Sequence, residues 1–145
     1  MKEYVLVVDD EQSLRRLLEL FFRKEGFEVD TAGGLAEAEE AIGANAYDLV
    51  LTDLRMAGED DGLKVLRAAL QKNPWTQVIV LTAYGTVETA KEAIKYGAYD
   101  YIAKPFDNAE LRALVRSALA RKEDAAGRRK ALRESVRGTS SYEGI

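Results

Sequence analysis

Neither cysteine nor histidine occurs anywhere in this sequence. Without cysteine there is no disulfide framework, no zinc–thiolate site and no thiol nucleophile. Without histidine the chain lacks the usual general base and the commonest transition-metal ligand. A metal site can then be built only from oxygen ligands, which points to magnesium or calcium. Long apolar runs are missing as well, and none approaches the roughly 20 residues that a membrane-crossing helix needs. The opening Met-Lys-Glu and the short apolar run after it do not make a signal peptide. The expectation is a soluble, cytoplasmic protein with no membrane contact.

What is present is ordinary for a globular chain. Hydrophobic residues make up 47% of the 145, enough for a core without covalent staples. One domain with a short attachment is the simplest division. Three compact apolar runs, Val5 to Val8, Leu49 to Thr52 and Val78 to Leu81, read as strands covered on both faces, the habit of a parallel sheet. Glu28 to Ala32 and Asp100 to Ala103 are weaker candidates. Helical periodicity fills the intervals. Leu14, Leu17, Leu18, Phe21 and Phe22 form one face, stopped by Gly26. Further helices run from about Leu35 to Ile42, Leu63 to Leu70, Val87 to Tyr96 and Ala109 onward. Thr86 and Asp107 suit N-caps, the latter with Glu110 three residues on as in a capping box. A βα unit repeated five times, with right-handed crossovers, predicts an α/β fold: a doubly wound, five-stranded parallel sheet of flavodoxin-like (βα)5 type between helices.

In open sheets of this kind ligands bind outside the carboxyl ends of the strands. The first strand ends at Asp9 and Asp10, the third at Asp53, the fourth at Thr82 and Ala83, the fifth at Lys104 and Pro105. Adjacent carboxylates repel, and a buried one without a partner is costly. A divalent cation among them resolves both problems, and an incomplete oxygen cage suits Mg2+. A lysine opposite balances the carboxylates or holds an anion, and a hydroxyl can donate to a phosphoryl oxygen. That set meets the needs of phosphoryl transfer: a nucleophile, a metal and a positive clamp. Each member alone has a plainer reading, since an Asp after a strand is commonly a helix N-cap and Lys-Pro a turn.

The segments VLVVDDE, LVLTDLRM, VIVLTAYG and YIAKPF, in that order and spacing, resemble the receiver domain of two-component response regulators. The resemblance covers about residues 3 to 122. It implies that Asp53 is the phosphoacceptor, taking the phosphoryl group from the phosphohistidine of a sensor histidine kinase. It further implies that Asp9, Asp10, Asp53 and the main-chain carbonyl of Arg55 hold Mg2+, and that Lys104 pairs with the phosphoryl group. Thr82 would move to bond that group, with Tyr101 swinging inward as a switch, although Tyr101 also reads as a half-buried strand residue. Tyr84 and Arg55 would influence how fast water removes the phosphoryl group. The Lys104–Pro105 bond would be cis. A phosphoryl group adds about two negative charges and strong acceptors, which would bias the face between the fourth and fifth helices. One departure stands out: receivers usually place Met-Pro after the acceptor, whereas here Met56 is followed by Ala57 and the run to Gly62 is longer. Proline would fix φ there, so the conformation from Ala57 to Asp61 is open.

After residue 120 the composition changes. Residues 1–120 carry 14 basic and 21 acidic side chains, whereas Arg121 to Arg137 has seven and three. Leu111, Val115, Ala118, Leu132 and Val136 fall on a heptad-like seam with charged interruptions, so a linker helix over 121–138 that pairs two copies is expected. Residues 139–145, ending in SSYEGI, resemble the lead-in to the AAA+ ATPase domain of sigma-54-dependent, NtrC-type activators. That likeness implies a receiver domain over 1–120 whose state controls an ATPase, with RNA polymerase sigma-54 and DNA reached only through missing domains. The plainer reading of the tail is a solvated helix. Nucleic-acid contact through Arg128, Arg129, Lys130, Arg133 and Arg137 fits less well, with acidic residues interleaved and no aromatic platform.

Three other functions compete. A small Mg-dependent aspartyl phosphohydrolase would need a second Asp two residues after the nucleophile, where Arg55 stands. A flavodoxin-like nucleotide module would need a phosphate-cradling loop after the first strand, where Asp9, Asp10 and Glu11 repel an anion. The third is a phosphorylation-independent dimerisation module, against which the intact carboxylate and lysine set argues.

Overall fold

The computed structural model describes residues 2–83 and 87–121, apart from the side chain of Val87. Strands and helices alternate: β1 (Tyr4–Val8), α1 (Gln12–Lys24), β2 (Glu28–Ala32), α2 (Leu35–Ala44), β3 (Leu49–Asp53), α3 (Asp61–Lys72), β4 (Gln77–Thr82), α4 (Val87–Lys95) and β5 (Asp100–Ala103). A fifth helix, α5, is described over 108–121. All strand pairs are parallel and the sheet order is β2-β1-β3-β4-β5. The five strands and the doubly wound architecture are those expected.

Period-two alternation within each strand feeds two cores. Leu6 and Val8 of β1, with Val50, Val78 and Val80, pack under Ala38, Ile42, Val65, Leu66, Ala69, Ala90 and Ala93 of α2, α3 and α4. Val5 and Val7, with Leu49, Leu51, Ile79, Leu81 and Ile102, pack under Leu18, Phe21 and Phe22 of α1 and Leu111, Val115 and Ala118 of α5. The three central strands β1, β3 and β4, covered on both faces, are apolar along most of their length, which is why they read as continuous runs, whereas the edge strands β2 and β5 carry exposed or half-buried polar residues. Gly26 ends α1 at φ +95°, a conformation that favours glycine. The Asp107 carboxylate accepts the Glu110 N–H at 2.7 Å, so the expected cap of α5 is present. Thr86, the other expected cap, lies outside the described residues.

The heptad seam needs correcting. Leu111 and Ala118 are fully buried and Val115 nearly so, all against the sheet of their own chain. A side chain already inside one subunit is not available to pair with another. Spacings of three and four mark a sheet-facing stripe and a coiled-coil seam alike, and here the sheet takes them. Leu132 and Val136 lie outside the described residues, as do the linker segments 122–138 and 139–145.

The segment from Ala57 to Asp61 closes on itself. The Gly58 N–H donates to Asp61 Oδ2 at 2.9 Å, the Asp61 N–H to Gly58 O at 3.2 Å, and the Met56 N–H to the same carbonyl at 3.2 Å. Asp61 is buried. These bonds stand where a proline would otherwise restrict the loop.

Candidate phosphoacceptor site

The sheet order puts β1 beside β3, with β2 on the outer side of β1. The crevice at that change of direction is where a doubly wound sheet binds ligands. Asp9 follows β1 and Asp53 is the last residue of β3. One carboxylate oxygen each from Asp9, Asp10 and Asp53 lies within 4.8 Å of the others.

Asp9 is fully buried and held on every side. Its N–H donates to Ala32 O at 3.1 Å. Its Oδ1 accepts the Glu11 N–H at 2.9 Å, and its carbonyl accepts the Arg15 guanidinium at 2.7 Å. Asp10, the next residue, is exposed. Asp53 is buried apart from a small opening. Beyond it the chain is pinned by Leu54 N–H to Leu81 O and by Gly62 N–H to Leu54 O, both at 2.9 Å. Gly62 lies so close that an added Cβ would sit 2.4 Å from the Asp53 carbonyl.

Lys104, just beyond β5, reaches back into the crevice. Its Nζ is 3.2 Å from Asp53 Oδ2 and 3.5 Å from Asp9 Oδ2. The Lys104–Pro105 bond is cis, as the resemblance implied. Thr82, at the end of β4 and in register with Ala103, is fully buried and donates through Oγ1 to Ala83 O at 3.2 Å. Tyr101, paired with Val80, is half-buried against the α2–α4 core. Arg55 is exposed on the loop after Asp53. Tyr84 lies outside the described residues.

Charge in this crevice is unbalanced: three carboxylates face one ammonium, with the Arg15 guanidinium behind them at the Asp9 carbonyl. Burial, then the neighbouring Asp9 charge, pushes Asp53 above the usual carboxylate range, and Lys104 only partly offsets them. Burial would depress Lys104, but the charges of Asp53 and Asp9 outweigh it and hold the ammonium above its ordinary value. A hard divalent cation fits such a set: all donors are oxygen, they converge, and they carry excess negative charge.

Sequence reasoning did not single out Arg15 or Gly62. Both act by close approach across the chain, and their one-dimensional signals are slight: a basic residue five positions after Asp10, and a glycine opening α3. The Tyr4–Tyr47 pair was also missed. Both phenols donate to Asp30 Oδ2, at the β2 side of the sheet.

An open five-stranded sheet with paired carboxylates after β1, a carboxylate ending β3, a hydroxyl ending β4 and a lysine after β5 defines a receiver-type domain. The chain belongs to the response regulator receiver domain family, which it matches over residues 5–116. It is similar to the response regulator protein PilR of Pseudomonas aeruginosa, 38% identical over 118 residues, 81% of this chain and 26% of PilR. The regulatory protein AtoC of Escherichia coli is 44% identical over 115 residues, 79% of this chain and 25% of AtoC. The chain therefore spans about a quarter of the length of these relatives. Among solved structures, NtrX from Brucella abortus superposes with a TM-score of 0.83 at 33% identity, over 90% of this chain and 30% of that one. A receiver domain protein from Clostridium thermocellum does so with a TM-score of 0.77 at 31% identity, over 83% and 97%.

Proposed function

We propose that this chain is the phosphoacceptor switch of a two-component response regulator, with Asp53 as the acceptor. The observation that carries the reading is the convergence of Asp9, Asp10 and Asp53 on one point, with Lys104 3.2 Å from the Asp53 carboxylate. Asp53 Oδ attacks the phosphorus of a phosphoimidazole on the partner kinase. The new P–O bond forms as the P–N bond breaks, and the leaving imidazole takes up a proton. Asp9, Asp10, Asp53 and the Arg55 carbonyl would hold Mg2+, whose charge when bound offsets that of the phosphoryl oxygens. Lys104 gives up its pairing with the free Asp53 carboxylate and pairs with the phosphoryl group. The Thr82 hydroxyl exchanges the Ala83 carbonyl for a phosphoryl oxygen, and Tyr101 follows into the space beside it.

Access suits a protein donor. A concavity of about 490 Å³ opens beside Lys104, lined by Leu14, Leu17, Pro105 and Phe106, with Leu17 well exposed. Downstream, the switch controls a sigma-54 activator ATPase in the full-length protein. That reading draws on the resemblance of the last residues and on relatives that are themselves regulatory proteins several times longer. Pairing of two copies belongs to the same reading, through Leu132 and Val136 rather than the core-bound part of the seam.

Intact mass after incubation with acetyl phosphate tests the central step. A single Mg2+-dependent phosphoryl adduct is expected on the wild-type chain and none on Asp53→Asn. An adduct that persists in Asp53→Asn, or none on the wild type under any condition, would sink the assignment.

A further inference from the structure

Arg15 is the side chain of α1 that reaches back to the strand end. Its guanidinium donates to the Asp9 carbonyl at 2.7 Å. The other polar groups of Asp9 are also engaged: the N–H by Ala32, Oδ1 by Glu11 and Oδ2 by Lys104. The carbonyl is the remaining handle, and it belongs to the peptide joining Asp9 to Asp10. Rotation of that peptide would leave Asp9 anchored through its N–H and Lys104 but would swing Asp10 and strain the Glu11 N–H bond to Oδ1, so Arg15 holds the peptide from the carbonyl side and Glu11 from the other. Asp10 is exposed, so its place beside Asp9 and Asp53 rests on the backbone that carries it, held at the 9–10 peptide by Arg15 and after it by the Glu11 N–H.

The β2–α2 turn leaves room for this arm. A Cβ added at Gly33 would lie 3.3 Å from a terminal nitrogen of Arg15 and 3.3 Å from Oε1 of Glu37. Glu37 in turn accepts the Gly33 N–H. The guanidinium thus lies across a turn whose missing side chain makes space for it, in a corner shared with an acidic partner of the turn.

We propose that Arg15 is a positioning residue of the acidic site, fixing the Asp9–Asp10 peptide so that Asp10 is presented to a divalent cation. The inference rests on reading that site as Mg2+-binding. Groups behind a metal's ligands commonly change affinity about 10-fold or more when removed. The sign separates positioning from charge. Deleting a bystander cation near three carboxylates would tighten Mg2+ binding, because like charges repel. Deleting a positioning arm weakens it.

The test is Mg2+ titration calorimetry on the full chain for the wild type, Arg15→Met and Arg15→Lys, with thermal midpoints in EDTA. Arg15→Met keeps most of the stem and loses the donor; Arg15→Lys keeps the charge and a donor. The expected result is about 10-fold weaker Mg2+ binding in Arg15→Met, an EDTA midpoint close to wild type, and most of the affinity recovered in Arg15→Lys. Unchanged or tighter binding in Arg15→Met would overturn the proposal while leaving the site reading intact. Weakened binding with a large fall in the EDTA midpoint would assign Arg15 to the fold instead, and also overturn it. A wild type that takes up no Mg2+ would overturn the site reading and this inference with it.

Discussion

The Asp53 carboxylate is buried beside the Asp9 carboxylate, and both circumstances favour its protonated form over its ionised one. Its folded pKa therefore lies above the unfolded value. Stability linked to this group is fully present below the unfolded pKa and is lost as pH rises through the folded one. Above the unfolded pKa and without metal, burying this carboxyl is a net cost to the fold. Asp53→Asn keeps the shape and removes that cost. We expect its thermal midpoint in EDTA to exceed that of wild type at neutral pH. The gap should shrink as pH falls through the window set by the raised pKa, and midpoints recorded over a pH series check this. Lys104 bears on the same balance from the other side. In Lys104→Met the two carboxylates lose their 3.2 and 3.5 Å partner, so the window should move to higher pH, read by the same series. The meeting of Asp9, Asp10, Asp53 and Lys104 was legible in the sequence because each follows or ends an expected strand. Their energetic conflict was not, because it depends on burial that only the closed sheet creates.

The turn from β3 into α3 shows how an element can be set by a single missing atom. Gly62 opens onto the backbone at and after Asp53: an added Cβ would meet the Asp53 carbonyl at 2.4 Å, the Leu54 Cα at 2.6 Å and the Leu54 carbonyl at 2.7 Å. All three are main-chain atoms that cannot rotate away, and the Gly62 N–H is itself bonded to the Leu54 carbonyl. Gly62→Ala must push α3 off the end of β3. Forced overpacking costs about 1–3 kcal/mol, which urea unfolding would measure. Mg2+ binding should weaken in the same variant, because the displaced backbone carries Asp53. Gly58 makes a useful contrast, since its added Cβ would meet the Asp61 carboxylate, a side chain that can shift. At the start of α5 the Asp107 cap is a local device, and Asp107→Ala should cost about 1 kcal/mol. Such caps are visible in sequence because donor and acceptor sit three residues apart. The closeness of Gly62 to Asp53 is not, because nothing in the sequence reports how tightly a helix lies against a strand end.

At the scale of the whole molecule, the sheet is closed by two helical layers, and α5 is half of one of them. Leu111, Val115 and Ala118 complete the core beneath β1, β3, β4 and β5 together with Phe21 and Phe22 of α1. The two helices are joined at their edge, where Arg112 pairs with Glu25 at 3.0 Å and lies 5.6 Å from the centre of the Phe21 ring. An apolar stripe at spacings of three and four gives no sign of whether a sheet or a second helix will cover it. This is why the sequence supports the fold order so well and this seam so poorly. The two assignments make different demands on one variant. Leu111→Ala in a monomer core leaves a cavity and costs about 2–5 kcal/mol, by the same amount at every protein concentration. In a pairing seam the loss would instead fall on association, and stability would depend on protomer concentration. Urea midpoints of wild type and Leu111→Ala, each at two concentrations a hundredfold apart, separate them. We expect a large fall in the midpoint whose size is the same at both concentrations. Any concentration dependence of the wild type should survive the substitution, because the Leu111 side chain is taken up by the core of its own chain. A fall that vanishes at high concentration would return Leu111 to an interface.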